Sequence, residues 1–293
     1  MVKIIGDTTS GLPEEVVQKY GIPIIPQVII FGEESFLEGV EMDNAAFMRR
    51  LKAAEDLPKT AAPPPELFVK EFERVVPTGE SIICILPSSV VSGTVRSAMV
   101  AARDFSGADI RIVDTELIAS PVATLLELAG QWAEEGKSAD AIERGIYDML
   151  PRCRVYFYVD TLKYLAKGGR IGGAAALLGG VLKVKPVLTL DRGRVETFEK
   201  IRTKKRAIAR LKELVTEQID SNIERYLSVM HAGIPEEAQA LADELVALLS
   251  LPYEPRILDV PPAIVTHGGP GILGVSFFVS GATEEGASCA FAD

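Results

Sequence analysis

The chain has 293 residues, 47% hydrophobic and 25% charged, which is the usage of a folded globular protein long enough for two cores. Its formal net charge of −10 excludes a nucleic-acid surface spread over the whole molecule and leaves room only for a local basic patch. Two histidines and three scattered cysteines (Cys84, Cys153, Cys289) give no metal-ligand spacing and no C-x-x-C pair. Buried thiols in a reducing compartment are expected, with no metal and no cofactor. The quiet apolar stretch 171–182 is too short to span a bilayer, and the first residues lack the pattern of a secretory signal. The expectation is a cytoplasmic protein.

In chain order, Val2-Lys3-Ile4-Ile5-Gly6 predicts a first strand, closed by the polar run Asp7-Thr8-Thr9-Ser10. Pro13 opens a helix over 14–20 with acidic residues in its first turn. Residues 22–31 are apolar but carry Pro23 and Pro26, which predicts an edge or bent strand. Asp43 caps a helix to about residue 52. Lys59-Thr60-Ala61-Ala62-Pro63-Pro64-Pro65 then predicts a stiff loop, ahead of a helix over 66–75. Its prolines present Thr60 with little entropy left to lose; a turn hydroxyl bonded to nearby backbone is the alternative.

The run Ile82-Ile83-Cys84-Ile85-Leu86 reads as a strand buried on both faces, stopped by Pro87. It is followed by Ser88, Ser89, Ser92, Gly93 and Thr94 and then by a helical pattern. Four hydroxyls in seven positions exceed what one helix cap needs, and a helix amino end beside a strand's carboxyl end suits an anion. Residues 110–113 give another strand, ending in Asp114-Thr115, then helices over 118–135 and 138–150. A strand over 155–159 follows, ending in Asp160-Thr161. This alternation predicts a parallel sheet with ligands at its carboxyl edge, where Asp7, Ser88, Asp114 and Asp160 all fall.

The composition changes around Lys167-Gly168-Gly169-Arg170-Ile171-Gly172-Gly173. The expected domains are a parallel α/β domain over 1–160 and a smaller α+β domain with a mixed sheet over 161–293. The second holds a hairpin over 185–198, helices over 203–219 and 235–249, and strands over 225–231, 254–259 and 271–280. His267 falls in a Gly/Pro-rich turn between the last two strands, where it is exposed and constrained. No phosphate loop or dinucleotide fingerprint is present. A hydrolase built from Ser92 as nucleophile, His267 as base and Asp114 or Asp160 as orienting group is one reading of these residues. Lys200, Arg202, Lys204, Lys205 and Arg206 cluster at a helix start, where cations oppose the macrodipole, so helix stability does not explain them. They fit either a solvated face near a helix start or a docking patch for an acidic partner or anionic group.

Taken together, these motifs resemble the DegV family, the fatty-acid-binding proteins that serve bacterial fatty acid kinases. The matching pieces are Asp7-Thr8-Thr9-Ser10, Lys59-Thr60, Ser88-Ser89-Val90-Val91-Ser92-Gly93-Thr94, Val113-Asp114-Thr115, Thr161 to Ile171, Lys185-Pro186, and His267-Gly268-Gly269-Pro270-Gly271. The resemblance implies a three-layer α/β parallel-sheet domain followed by a smaller mixed-sheet domain, as in dihydroxyacetone kinase substrate domains. It implies a long-chain fatty acid, or its acyl phosphate, buried between the domains, and a separate fatty acid kinase subunit that does the chemistry. Contact with a membrane would be transient. Thr60, Ser92, His267 and Arg170 would hold the carboxylate, with Asp7, Ser88, Ser89, Gly93, Thr94 and Asp114 in support. The basic cluster around Arg202 would meet the kinase. Leu177, Leu178, Val181 and Leu182 are candidates for the tunnel wall. Ala61, Ala62 and Pro64 depart from the family's more polar loop and thin the lining beside Thr60. A sugar-binding subunit like that of dihydroxyacetone kinase is a further reading.

Overall fold

The computed structural model describes residues 1–178, 185–219 and 226–280. Val181, Leu182, Arg225 and Cys289, all read from sequence above, lie outside the described residues. Four strands pair in parallel in the spatial order Ile24–Ile25, Val2–Asp7, Ser81–Leu86, Ile110–Asp114. The central Ser81–Leu86 strand shows why an unbroken apolar run was needed. Ile83 and Ile85 pack with Val122, Leu125 and Ile142, on the helices Ser120–Glu134 and Ala139–Met149. Ile82, Cys84 and Leu86 pack with Phe68, Phe72 and Ala98, on the helices Pro65–Val75 and Thr94–Ala102. Alternate side chains thus feed two cores, giving three layers.

Residues 22–31 do not form one bent strand. Ile24–Ile25 joins the parallel sheet, and Val28–Phe31 leaves it to pair antiparallel with Glu34–Leu37 and Lys59–Ala61. Pro26 separates the two pieces because it has no N–H to give a ladder. Thr60, expected on a stiff loop, therefore sits on a short strand opposite Ile29.

The third sheet has the order Arg194–Glu199, Val187–Asp191, Cys153–Tyr158, Leu273–Phe278, Ser228–His231, Arg256–Asp259. Only its last pair is parallel. The strand expected at 155–159 in the parallel sheet belongs here instead, antiparallel to both neighbours. The change of sheet comes before Cys153 rather than between residues 160 and 161, and Asp160 is not at a parallel strand's carboxyl end. Val155 and Phe157 enter the core between the sheets, while Tyr156 and Tyr158 pack under the helices Lys204–Gln218 and Pro235–Leu249. A strand apolar on both faces is the usual mark of a parallel sheet, yet here an antiparallel strand is covered on both sides.

Side-chain bonds join the layers. The Ser120 and Ser276 hydroxyls meet at 2.7 Å in a buried contact, and Arg256 grips Glu127 through two nitrogens at 2.5 and 3.1 Å. The Ser88 hydroxyl donates to the Gly193 carbonyl at 3.0 Å. Gly193 has φ +75°, and a Cβ there would stand 2.2 Å from Ser88 Oγ, so both its backbone and its neighbour require glycine. Among the described residues no helix is long and apolar enough to cross a membrane, and no cluster of potential metal ligands forms.

Candidate functional site

The carboxyl ends of Val2–Asp7 and Ser81–Leu86 open onto a cavity of about 110 Å³. Its wall is apolar: Val155 and Phe157 from the central strand of the mixed sheet, Met230 beside them, Ile118, Leu165 and Ile264 around the sides. One end is polar, formed by Thr60, Ser92, Arg170 and His267. The sequence-predicted ligand residues are therefore brought together from four separate segments. Leu177 packs on the same core without lining the cavity, and Leu178 is exposed, so neither of these two expected wall residues lines it, whereas strands of the mixed sheet do.

His267 lies on the last turn of a short helix, Pro262–Gly268, not in an exposed turn. Pro262 occupies the first helical position and the glycines that follow end the helix. His267 Nε2 is 2.8 Å from Thr60 Oγ1, and Nδ1 is buried with no hydrogen-bond partner. An unpartnered N–H is costlier to bury than an unpartnered ring nitrogen, so the proton belongs on Nε2. Nε2–H then donates to Thr60 Oγ1, and the Thr60 hydroxyl hydrogen remains for a ligand. Burial, and secondarily the charge of Arg170, hold the imidazole pKa down to about 4, so the ring is neutral at neutral pH. Arg170 itself is anchored by Nη1 on the Gly168 carbonyl at 2.7 Å and supplies the positive charge of this end.

Ser92 Oγ is 2.8 Å from Thr94 Oγ1 and receives the Thr94 N–H at 3.3 Å. Behind them a network absent from the sequence reading reaches down to Asp7. Gln27 Nε2 donates to Thr94 Oγ1 at 2.7 Å and to Asp7 Oδ2 at 2.6 Å, and the Thr9 hydroxyl donates to Asp7 Oδ1 at 2.6 Å. Burial raises the Asp7 carboxyl to about 6 despite these donors. Gln27 carried no motif around it and could not have been picked out from sequence spacing.

Of the other supporting residues, Ser88, Ser89 and Asp114 are not at the cavity. The Asp114 carboxylate takes the Ser89 and Glu116 N–H groups, at 3.1 to 3.3 Å, and Ser88 ties its loop to Gly193. Gly93 does line the cavity, at the start of the Thr94–Ala102 helix. Asp160 instead accepts the Tyr158 hydroxyl and faces Lys185 at 3.3 Å. The hydrolase triad is therefore not formed. Ser92 bonds with Thr94, His267 with Thr60, and neither aspartate reaches the imidazole. The basic cluster is remote from the cavity. Lys200, Arg202, Lys205 and Arg206 are exposed, while Lys204 pairs with Glu237 at 2.6 Å and overlies Tyr158 on the sheet's opposite face.

Ala119, in the cavity wall, has φ 62° and ψ −142°, a region that an alanine rarely enters. Its N–H donates to the Thr9 carbonyl at 3.1 Å, which pins the strained residue between the first strand's end and the Ser120–Glu134 helix. Ala119→Gly is expected to stabilise the fold by about 1 kcal/mol, the relief of strain less glycine's added chain entropy. Chemical denaturation checks this, and a lower midpoint would refute the strain.

The arrangement can hold an acceptor-only, anionic head group with an apolar tail. Comparison with known proteins bears on what that group is. A family model described as the DegV family of uncharacterised proteins matches residues 1–280. A DegV domain-containing protein of Streptomyces coelicolor is 36% identical over 94% of this chain and 97% of its own length. Protein DegV of Bacillus subtilis is 33% identical over 94% of this chain and 98% of its own length. Among solved structures, a fatty-acid-binding DegV family protein of Thermus thermophilus superposes with a TM-score of 0.87 at 28% identity, covering 95% of this chain and 99% of its own. The structure of DegV from Bacillus subtilis, described as a fatty acid binding protein, gives 0.83 at 31% identity with coverages of 95% and 99%.

Proposed function

The chain belongs to the DegV family, and from that premise we propose that it binds one long-chain fatty acid, with the carboxylate at Thr60, Ser92, His267 and Arg170 and the tail in the apolar cavity. The observation that carries this reading is the pairing of two hydroxyl donors and a guanidinium at one end of an otherwise apolar cavity. A carboxylate only accepts hydrogen bonds, and charge-assisted donors allow it to stay ionised while partly buried. Each methylene removed from water adds roughly 0.8 kcal/mol.

In the fuller form of the proposal the protein performs no chemistry and presents its acid, in the cytoplasm, to a fatty acid kinase. The neutral imidazole spends its one N–H on Thr60 and is not bonded to Ser92, which supports a holding role. The exposed Arg202, Lys205 and Arg206 are the surface assigned to the kinase, through complementary charge.

Native mass spectrometry of the purified protein, followed by organic extraction, tests the binding reading. The expected result is one fatty acid per chain. Ser92→Ala and Thr60→Val each weaken binding by about 10- to 100-fold without unfolding the protein, the scale of a lost charge-assisted hydrogen bond. A protein that stays empty when incubated with a panel of fatty acids would overturn it.

A further inference from the structure

Asp7 lies behind the carboxylate seat and Gln27 lines the cavity beside it, and neither is one of the four groups assigned to the head group. Both are almost wholly buried, Asp7 at 0% and Gln27 at 3% exposure, as is Thr94 at 0%. A buried acid, amide and hydroxyl in series, ending on a serine that faces the cavity, is more than the fold needs at this point. Strand pairing and packing already hold these segments together.

We propose that Gln27 is a positioning residue for the seat: clamped between Asp7 and Thr94, it makes Thr94 an acceptor and so turns the Ser92 hydroxyl hydrogen towards the bound head group. The inference rests on a fatty-acid carboxylate occupying the seat. The directions follow from the donor inventory. Ionised Asp7 can only accept, so the side facing it at 2.6 Å must be the Gln27 amino group. The same nitrogen then gives its second hydrogen to Thr94 Oγ1 at 2.7 Å. Thr94 keeps one hydrogen, and it faces both Asp7 and Ser92. The Asp7 oxygens take Thr9 and Gln27 and have lone pairs to spare, so the Thr94 hydrogen can turn either way until the seat is filled. An anion in the seat draws the Ser92 hydrogen outward, which leaves Ser92 Oγ as the acceptor for Thr94. The chain Gln27 to Thr94 to Ser92 to ligand then runs in one direction, each donor strengthening the next. The result is a seat tuned to an anionic acceptor over a neutral head group on the same tail.

The test is a double-mutant cycle read with two probes, palmitate and 1-hexadecanol, in direct binding measurements at neutral pH. Gln27→Met keeps the side chain's shape and removes the amide. It is expected to weaken palmitate about 10-fold and hexadecanol by less than about 2-fold, and to add almost nothing in a Ser92→Ala background. Thr94→Val should reproduce this pattern and Thr94→Ser should restore palmitate binding, so the relay is testable even if Gln27→Met folds poorly. Equal losses for both probes, or a full additive loss on top of Ser92→Ala, would reduce Gln27 to a structural residue and overturn the proposal. Wild-type protein that binds neither probe would instead overturn the function on which the proposal rests. Tight wild-type binding that is weakened by Ser92→Ala and untouched by Gln27→Met would sink the relay alone.

Discussion

Gly168→Ala is expected to weaken fatty-acid binding by about 100-fold or more while the protein remains folded, a larger loss than either hydroxyl deletion. Gly168 is the last residue of the Lys163–Gly168 helix and forms the floor under the His267 ring. A Cβ built there lies 2.3 Å from Nδ1 and 3.2 Å from Cγ, well inside contact distance. The obstacle is a ring held by Thr60 rather than the free end of a flexible chain, so the imidazole must leave its place. When it does, Thr60 loses the Nε2–H donor that frees its own hydrogen for the ligand. Thr60 and the ring that orients it are disturbed at once. The backbone itself does not resist, because Gly168 has no positive φ and alanine suits a helix better by roughly 0.5–1 kcal/mol. Thermal unfolding should therefore be near that of wild type, and palmitate affinity should separate the two proteins. Removing the ring makes room for the methyl group, so His267→Ala with Gly168→Ala should bind no worse than His267→Ala alone. Wild-type affinity in Gly168→Ala would show that the imidazole does not orient Thr60.

The legible and illegible parts of this protein divide by the range of the interactions. The Ser81–Leu86 strand, its stop at Pro87 and the helix behind Thr94 are written locally, in a β-branched run, a residue without N–H and a switch of periodicity. The same is true of the 187–199 hairpin, whose turn carries Gly193. Cys153–Tyr158 has an equally clear local pattern, but its sheet is chosen by Leu273–Phe278, more than a hundred residues away, and nothing local encodes that choice. At the site, Thr60, Ser92, Arg170 and His267 could be named because each sits in a distinctive short motif. Their convergence depends on three sheets meeting. Gln27 and Glu38 were missed because a single amide or acid in an apolar or acidic stretch carries no mark of being buried.

Glu38 also gives the protein a pH-dependent weakness. It is 3% exposed and ties the segment after the first strand to the helix that bears His267. Oε1 accepts the Ala263 N–H at 2.8 Å, and Oε2 accepts the Thr8 hydroxyl, which in turn receives the Gln27 N–H at 3.0 Å. Burial raises its pKa from 4.5 to about 7, with a smaller push from the Asp7 charge, and the two donors only partly offset this. The folded state therefore keeps a proton that the unfolded chain releases, and stability falls as pH rises between those values. Asp7, raised to about 6, acts in the same direction, whereas His267, lowered to about 4, acts in the opposite one. Glu38→Gln removes one of these titrations and leaves the others, which largely cancel when variant and wild type are compared. The amide oxygen can still accept from Ala263. The stability of Glu38→Gln relative to wild type should accordingly rise by up to about 3 kcal/mol from pH 4 to pH 8, with most of the change complete near pH 7. Urea denaturation at matched pH values measures it, and a difference that stays flat across that range would mean Glu38 ionises as an ordinary surface acid. A buried carboxylate that destabilises the fold at neutral pH is costly as a structural tie. Its position is accounted for by what it holds: the helix that sets His267 against Thr60, to which an ionised acceptor gives a stronger hydrogen bond than a neutral one.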